Sequence, residues 1–338
     1  NQTPLFAAVW QCHIHVVETL LKRDDIGVNL PDNKSRTPLF VAVLQGDASI
    51  VSLLLEKSNI EINRANLDGV TPLFTAIDKK HTRIVSMLLD YEDDLVNQAD
   101  KDGLTPLYQA SGDGHEQIVK LLLNHKDFKI NRQSCEGSAC LFIAASNGHS
   151  QIVVSLLNIV NIDINVTNKR GLTALYFAAS NGHYDAVVAL LNREGIDINK
   201  ATHKNATPLF AAANIGRLDI VNALLEKDEI NINMHDIDGR SPLFAAATMG
   251  YLGVVEKLLS RSEIDMNNQD KDGRTPLFAA AFMGHLGVVE KLFEQSTIYD
   301  MNKQDKGGRT PLYQAVSCNR KKIVDLILAQ SDDGVNIH

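Results

Sequence analysis

Two apolar spacings alternate along the whole chain. One is a short Ala-rich run opened by Thr-Pro-Leu-Phe or a near variant. The other is an Ile/Val-Val-x-x-Leu-Leu run, apolar at helical spacing. The leucine of the first run falls at Leu5, Leu39, Leu73, Leu107, Leu141, Leu175, Leu209, Leu243, Leu277 and Leu312, with steps of 34 eight times and then 35. Ten segments in one register form an internal repeat, and each predicts the same local structure. Thr before Pro is a helix start, because the hydroxyl caps free N–H groups and Pro at the first helical position loses no hydrogen bond. A turn follows, with Gly in seven repeats, and then a second helix. An extended Ile-Asp-Ile-Asn stretch and an Asp-x-Asp-Gly tip (Asp100 to Gly103, Asp270 to Gly273) lead into the next Thr-Pro. The expected fold is an all-α repeat solenoid of helix-turn-helix repeats joined by β-hairpin or loop tips, one array over residues 1–338.

The composite pattern D-x-D-G-x-T-P-L-F-x-A-A-x-x-G-H-x-x-I-V-x-x-L-L resembles the ankyrin repeat, whose signature is T-P-L-H-x-A. The tetratricopeptide repeat shares the length but places a Trp and a Leu-Gly pair early in its unit, and this chain holds one Trp. Two departures stand out. The repeat is a residue longer, and the His of T-P-L-H is replaced throughout by Phe or Tyr (Phe6, Phe40, Phe74, Tyr108, Phe142, Tyr176, Phe210, Phe244, Phe278, Tyr313). These ten aromatics read as a buried ladder. Pro is missing from repeats five and six, at Ala139-Cys140-Leu141 and Thr173-Ala174-Leu175, which marks them as the softest part of the array.

Charge and chemistry narrow the function. A net charge of −8 does not suit binding to nucleic acid or anionic membrane, and no apolar run reaches membrane-spanning length. Four cysteines, Cys12, Cys135, Cys140 and Cys318, make no disulfide framework or metal pair, which points to a reducing, cytoplasmic setting. No phosphate loop, metal helix or nucleophile elbow is present, so neither catalysis nor a cofactor is expected. Six histidines (His13, His81, His115, His149, His183, His285) share one register beside the inter-helix turn and read as turn caps. Sequons at Asn1, Asn33, Asn165 and Asn205 lack a signal sequence beside them and read as accidental. The Asn ending each extended stretch (Asn63, Asn97, Asn131, Asn165, Asn199, Asn233, Asn267, Asn302) reads as a backbone support. The family resemblance also marks that position as one that asparaginyl hydroxylases modify. The first repeat starts without its own tip, and Gly334 to His338 leads toward another, so the chain reads as a segment of a longer polypeptide.

A one-dimensional stack displays its variable positions along an extended concave surface. In repeats seven to nine these positions become apolar, with Ile215, Met249, Phe282 and Met283 and with Tyr251 in the slot that usually holds His. Arg240, Arg274 and Arg309 follow the tip glycines. An apolar, Met-containing centre rimmed by Arg has the composition of a protein-binding hot spot. The expected partner is a protein or peptide with apolar anchors and acidic residues. Trp10 with Leu44 forms a second candidate patch. Packing against neighbouring helices is the competing reading of Met249 and Phe282, and repeats eight and nine are near copies, differing at seven of 24 positions (241–264 against 275–298). The resemblance implies an interaction scaffold; the alternative is a regulatory or tethering arm that binds another part of its own chain.

Overall fold

A computed structural model describes residues 3–126, 128–295 and 300–329. The Asn1 sequon and the 334–338 lead-in lie outside them. Among the described residues the chain forms twenty α-helices, two per repeat, with a short 3-10 turn at Asp93–Asn97 and no strand. It packs as two compact bodies, residues 1–144 with 149–163, and residues 145–148 with 164–338.

In the first body the first helices α1 (Pro4–Trp10), α3 (Pro38–Gln45), α5 (Pro72–Asp78) and α7 (Pro106–Gly112) pack in sequence, as do the second helices α2 (Ile14–Leu21), α4 (Ala48–Leu55), α6 (Thr82–Tyr91) and α8 (Glu116–Leu123). Repeat five supplies α9 (Cys140–Ser146), whose last two residues count with the second body, and α10 (Ser150–Leu157). The second body repeats the arrangement. Its first helices are α11 (Ala174–Asn181), α13 (Pro208–Asn214), α15 (Pro242–Met249), α17 (Pro276–Met283) and α19 (Pro311–Ser317). Behind them run α12 (Tyr184–Leu191), α14 (Leu218–Leu225), α16 (Leu252–Leu259), α18 (Leu286–Phe293) and α20 (Lys321–Ala329).

Each first helix starts as its sequence requires. The hydroxyl of Thr3, Thr37, Thr71, Thr105, Thr173, Thr207, Ser241, Thr275 or Thr310 accepts from the amide three residues on, at 3.1–3.4 Å. The anchoring leucines and alanines are nearly all buried, and the Ala side chains let successive first helices approach closely.

The connections between repeats differ from expectation. Among the described residues the Ile-Asp-Ile-Asn stretch forms no strand and runs into a turn. Its Asp closes that turn, as where Asp265 accepts from the Asn267 amide at 2.9 Å. The following Asn reaches the next repeat. Asn199 Nδ2 donates to the Glu229 carbonyl at 2.7 Å while its Oδ1 accepts from the Asn231 amide at 2.9 Å. Asn131, Asn165 and Asn233 make the same two bonds, and so does Asn29. Both ends of the amide are spent on the backbone of the next repeat.

The tips are loops. One side-chain oxygen, from Asp32, Asn66, Asp100, Asn168, Asp236, Asp270 or Asp305, accepts from the amides two and four residues on at 2.8–3.0 Å. Ser134 and Thr202 do the same with hydroxyls at 3.2–3.3 Å.

The slot histidines make no side-chain cap to their own turns, and three of them tie one repeat to the one before. Nε2 of His149, His183 and His285 donates to the carbonyls of Gly112, Ser146 and Thr248 at 2.9, 2.9 and 3.0 Å. A carbonyl only accepts, so these nitrogens carry the proton. The ring lies against the turn glycine of the preceding repeat: a Cβ on Gly250, already at φ +78°, would stand 2.6 Å from His285. In repeat three this position is Lys80, also left-handed at φ +58°, and it carries the Cβ that glycine omits. The next slot residue, His115, has a buried Nε2 without a partner among the described residues. The register partner it fails to reach is the Asp78 carbonyl.

Candidate binding groove

In the second body α13, α15 and α17 enclose an open groove of about 300 Å³. Its floor holds Phe210, Phe244 and Phe278, one from each Thr/Ser-Pro-Leu-Phe start, together with Ala245 and Ala279. Phe244 and Phe278 are each 3% exposed, so they are at once core and floor. The wall toward the inter-helix turns is Asn214, Thr248, Met249, Phe282 and Met283, and Arg240 and Arg274 close the tip side. Met249, Phe282 and Met283 remain 43–47% exposed, a large apolar surface for side chains beside one another.

Five of the eight residues expected from sequence therefore line one groove: Arg240, Met249, Arg274, Phe282 and Met283. Three lie elsewhere. Ile215 sits exposed at the end of α13. The half-buried Tyr251 ring covers Gly216, where a Cβ would come within 2.6 Å, and so fills the histidine slot as a packing residue. Arg309 is exposed at the last tip.

The three arginines are already occupied. Arg240 Nη2 lies 2.7 Å from both Asp236 and Asp238, Arg274 Nη2 lies 2.6 and 2.7 Å from Asp270 and Asp272, and Arg309 Nη2 lies 2.6 Å from Asp305. In each, Nε also donates to the inner carboxylate, whose side chain is almost completely buried. Burial pushes the Asp305 carboxyl up, but the Arg309 guanidinium and the Arg309 and Gly307 amides outweigh it and hold Asp305 below the usual carboxylate range. The Asp236 side-chain bond raises Arg240. The rim is thus a row of preformed ion pairs with little free positive charge. Asp-x-x-x-Arg spacing (Asp236/Arg240, Asp270/Arg274, Asp305/Arg309) is the sequence signal that identifies it.

The ten aromatics divide by place. Phe6, Phe40, Phe74, Phe142, Phe244 and Phe278 are buried, Tyr108, Tyr176 and Phe210 are half-buried, and Tyr313 is 58% exposed. The second candidate patch lies in the first body. Trp10, 40% exposed, stacks on Phe6 at 6.3 Å, and the Arg36 guanidinium sits 5.1 Å from its ring centre. Arg36 is itself held by Asp32 at 2.6 Å, and Leu44 is half-buried.

Among the described residues no group of His, Cys, Asp and Glu could hold a metal ion, and no helix is long and apolar enough to cross a membrane. No curated protein gives a significant match to the chain. A family model described as ankyrin repeats, in three copies, matches residues 1–66, 61–134, 126–202, 194–270 and 243–338. With helix pairs in tandem register, Thr-Pro helix starts and a family match over its whole length, the chain belongs to the ankyrin repeat family, whose members are in general protein–protein interaction modules.

Proposed function

We propose that this chain is a non-catalytic interaction scaffold that holds a protein partner by apolar anchors in the groove between α13, α15 and α17. One observation carries the reading: Met249, Phe282 and Met283 stay nearly half exposed above a floor of phenylalanine. Flexible thioethers and an aromatic ring over a preformed apolar floor suit insertion of partner side chains. The Asp–Arg pairs lower the pull on an acidic partner. The arginines then act as a rigid polar rim, and the partner is recognised first by its apolar residues. Free thiols at Cys12, Cys135, Cys140 and Cys318 support a reducing compartment.

The test compares proteins captured by the wild-type array and by Met249→Asp/Phe282→Asp, with folding checked by circular dichroism and the enriched partner titrated in solution. Arg274 is left intact because its loss would strand the buried Asp270 carboxylate. At least a tenfold loss of affinity is expected, on the order of the cost of deleting two hot-spot contacts. Unchanged capture and affinity in the variant would overturn the reading.

A further inference from the structure

The second helices of the second body carry an apolar row of their own. Tyr184, Leu218, Leu252 and Leu286 occupy the first position of α12, α14, α16 and α18, each 34 residues after the last. Tyr184, Leu218 and Leu252 are 39–41% exposed, and Leu286 is half-buried. The four helices pack in order, so the side chains align. They are also close-set. Leu218 Cδ2 lies 3.3 Å from where a Cβ on Gly253 would stand, and Leu252 Cδ2 lies 3.4 Å from that of Gly287, so each leucine reaches across onto the next helix. The fold does not demand this, since the same register holds Thr82, Glu116 and Ser150 in repeats three to five. Isolated exposed apolar residues need no explanation, but a continuous row is a different matter.

The flank of the row is acidic. Glu256 and Glu290 follow Leu252 and Leu286 by four residues, on the same helix face, and both are exposed. Asp185 is exposed beside Tyr184. Arg217 is held by Asp219 at 2.7 Å and Lys291 by Glu294 at 2.6 Å, so neither of these two cations is free. Neighbouring packed helices lie about 8–10 Å apart, which makes the row about 25–30 Å long. That is the length of a helix of about 18 residues.

We propose that this row docks a basic amphipathic helix, its apolar face along Tyr184, Leu218, Leu252 and Leu286 and its Lys or Arg residues toward Asp185, Glu256 and Glu290. The surface lies on the second helices and is independent of the groove between the first helices. The probe is a fluorescein-labelled 18-residue amphipathic Leu/Lys peptide, titrated by anisotropy into the full chain beside the same peptide with Glu for Lys. Saturable binding of the Leu/Lys peptide is expected. It should weaken at least tenfold in Leu218→Ser/Leu252→Ser and about threefold in Glu256→Gln/Glu290→Gln, and fall with salt, while Phe282→Asp leaves it unchanged. The exposed Glu pair keeps the test decisive should the Leu pair unfold the chain. Absence of saturable binding, equal binding of the Leu/Glu peptide, or affinity unmoved by the Glu pair would each overturn the proposal.

Discussion

At the scale of single residues, the side chains that matter most are polar ones spent on backbone. The tip Asp both organises its loop through two amides and neutralises an Arg four residues on. Asn satisfies the loop equally well at Asn66 and Asn168, so Asp305→Asn isolates the ion pair. Asp305 lies below its unfolded value, so its contribution is complete above about pH 4 and is lost as pH falls through the folded value. Urea titrations should show Asp305→Asn less stable than wild type by on the order of 1 kcal/mol at pH 7, with half-exposed Arg309 limiting the gain. The gap should close toward pH 2; a gap independent of pH would refute the assignment. The Cys140 thiol is driven by burial to about 12. Thiolate is the reactive form, so a chromogenic disulfide at pH 8 should label exposed Cys12 and Cys135 in the native chain and reach Cys140 only after denaturation.

At the scale of elements, the inter-helix turn sets how one repeat meets the next. Where the turn residue is Gly, the following His, Tyr or Arg lies upon it: His285 on Gly250, Tyr251 on Gly216, and Arg217 bonded to the Gly182 carbonyl. Where it is Lys80, the partner His115 is orphaned. Lys80→Gly relieves a left-handed conformation unfavourable to a side chain and frees the His115 ring to donate as its counterparts do. Against the extra entropy of glycine, a net stabilisation of about 1 kcal/mol is expected. Thermal unfolding of Lys80→Gly beside Lys80→Gly/His115→Ala measures it, the gain in the first being smaller in the second. An equal gain in both would mean that backbone strain alone was relieved.

At the scale of the whole molecule, a repeat array is stabilised as a sum of repeat and neighbour terms, so a weak repeat limits cooperativity. Repeat five is the weak one on helix-start chemistry. Ala139 stands where the other repeats keep a capping hydroxyl, and Cys140 stands in place of Pro. The division into two bodies falls within this repeat. Thr37, Thr207 and Thr275 fill the equivalent place fully buried, so Ala139→Thr has a precedent for its volume. It should add about 1 kcal/mol, and hydrogen exchange across 140–157 should slow relative to the flanking repeats. Unchanged exchange there would show that this helix start does not govern local opening.

Much of this was legible in the residues before any folding. The 34-residue register, the helix pairs and their Thr starts follow from local rules, because a cap or a proline acts within one turn of chain. The apolar drift of repeats seven to nine singled out Met249, Phe282 and Met283, and the position after the tip glycine singled out Arg240 and Arg274; all five line the groove. What sequence could not assign were contacts 26 to 37 residues apart. Arg36 lies over Trp10, Asn199 clasps the Glu229 carbonyl, and His183 crosses to Ser146. Tyr251 likewise packs where a binding role was expected, and the arginine rim is neutralised by aspartates that sequence alone reads as loop tips. Local pattern decides which face of each helix is apolar. Only the stacking of one repeat on the next decides which apolar side chains run out of neighbours, and Met249, Phe282 and Met283 in the groove and Tyr184, Leu218 and Leu252 on the second helices are among those it leaves exposed.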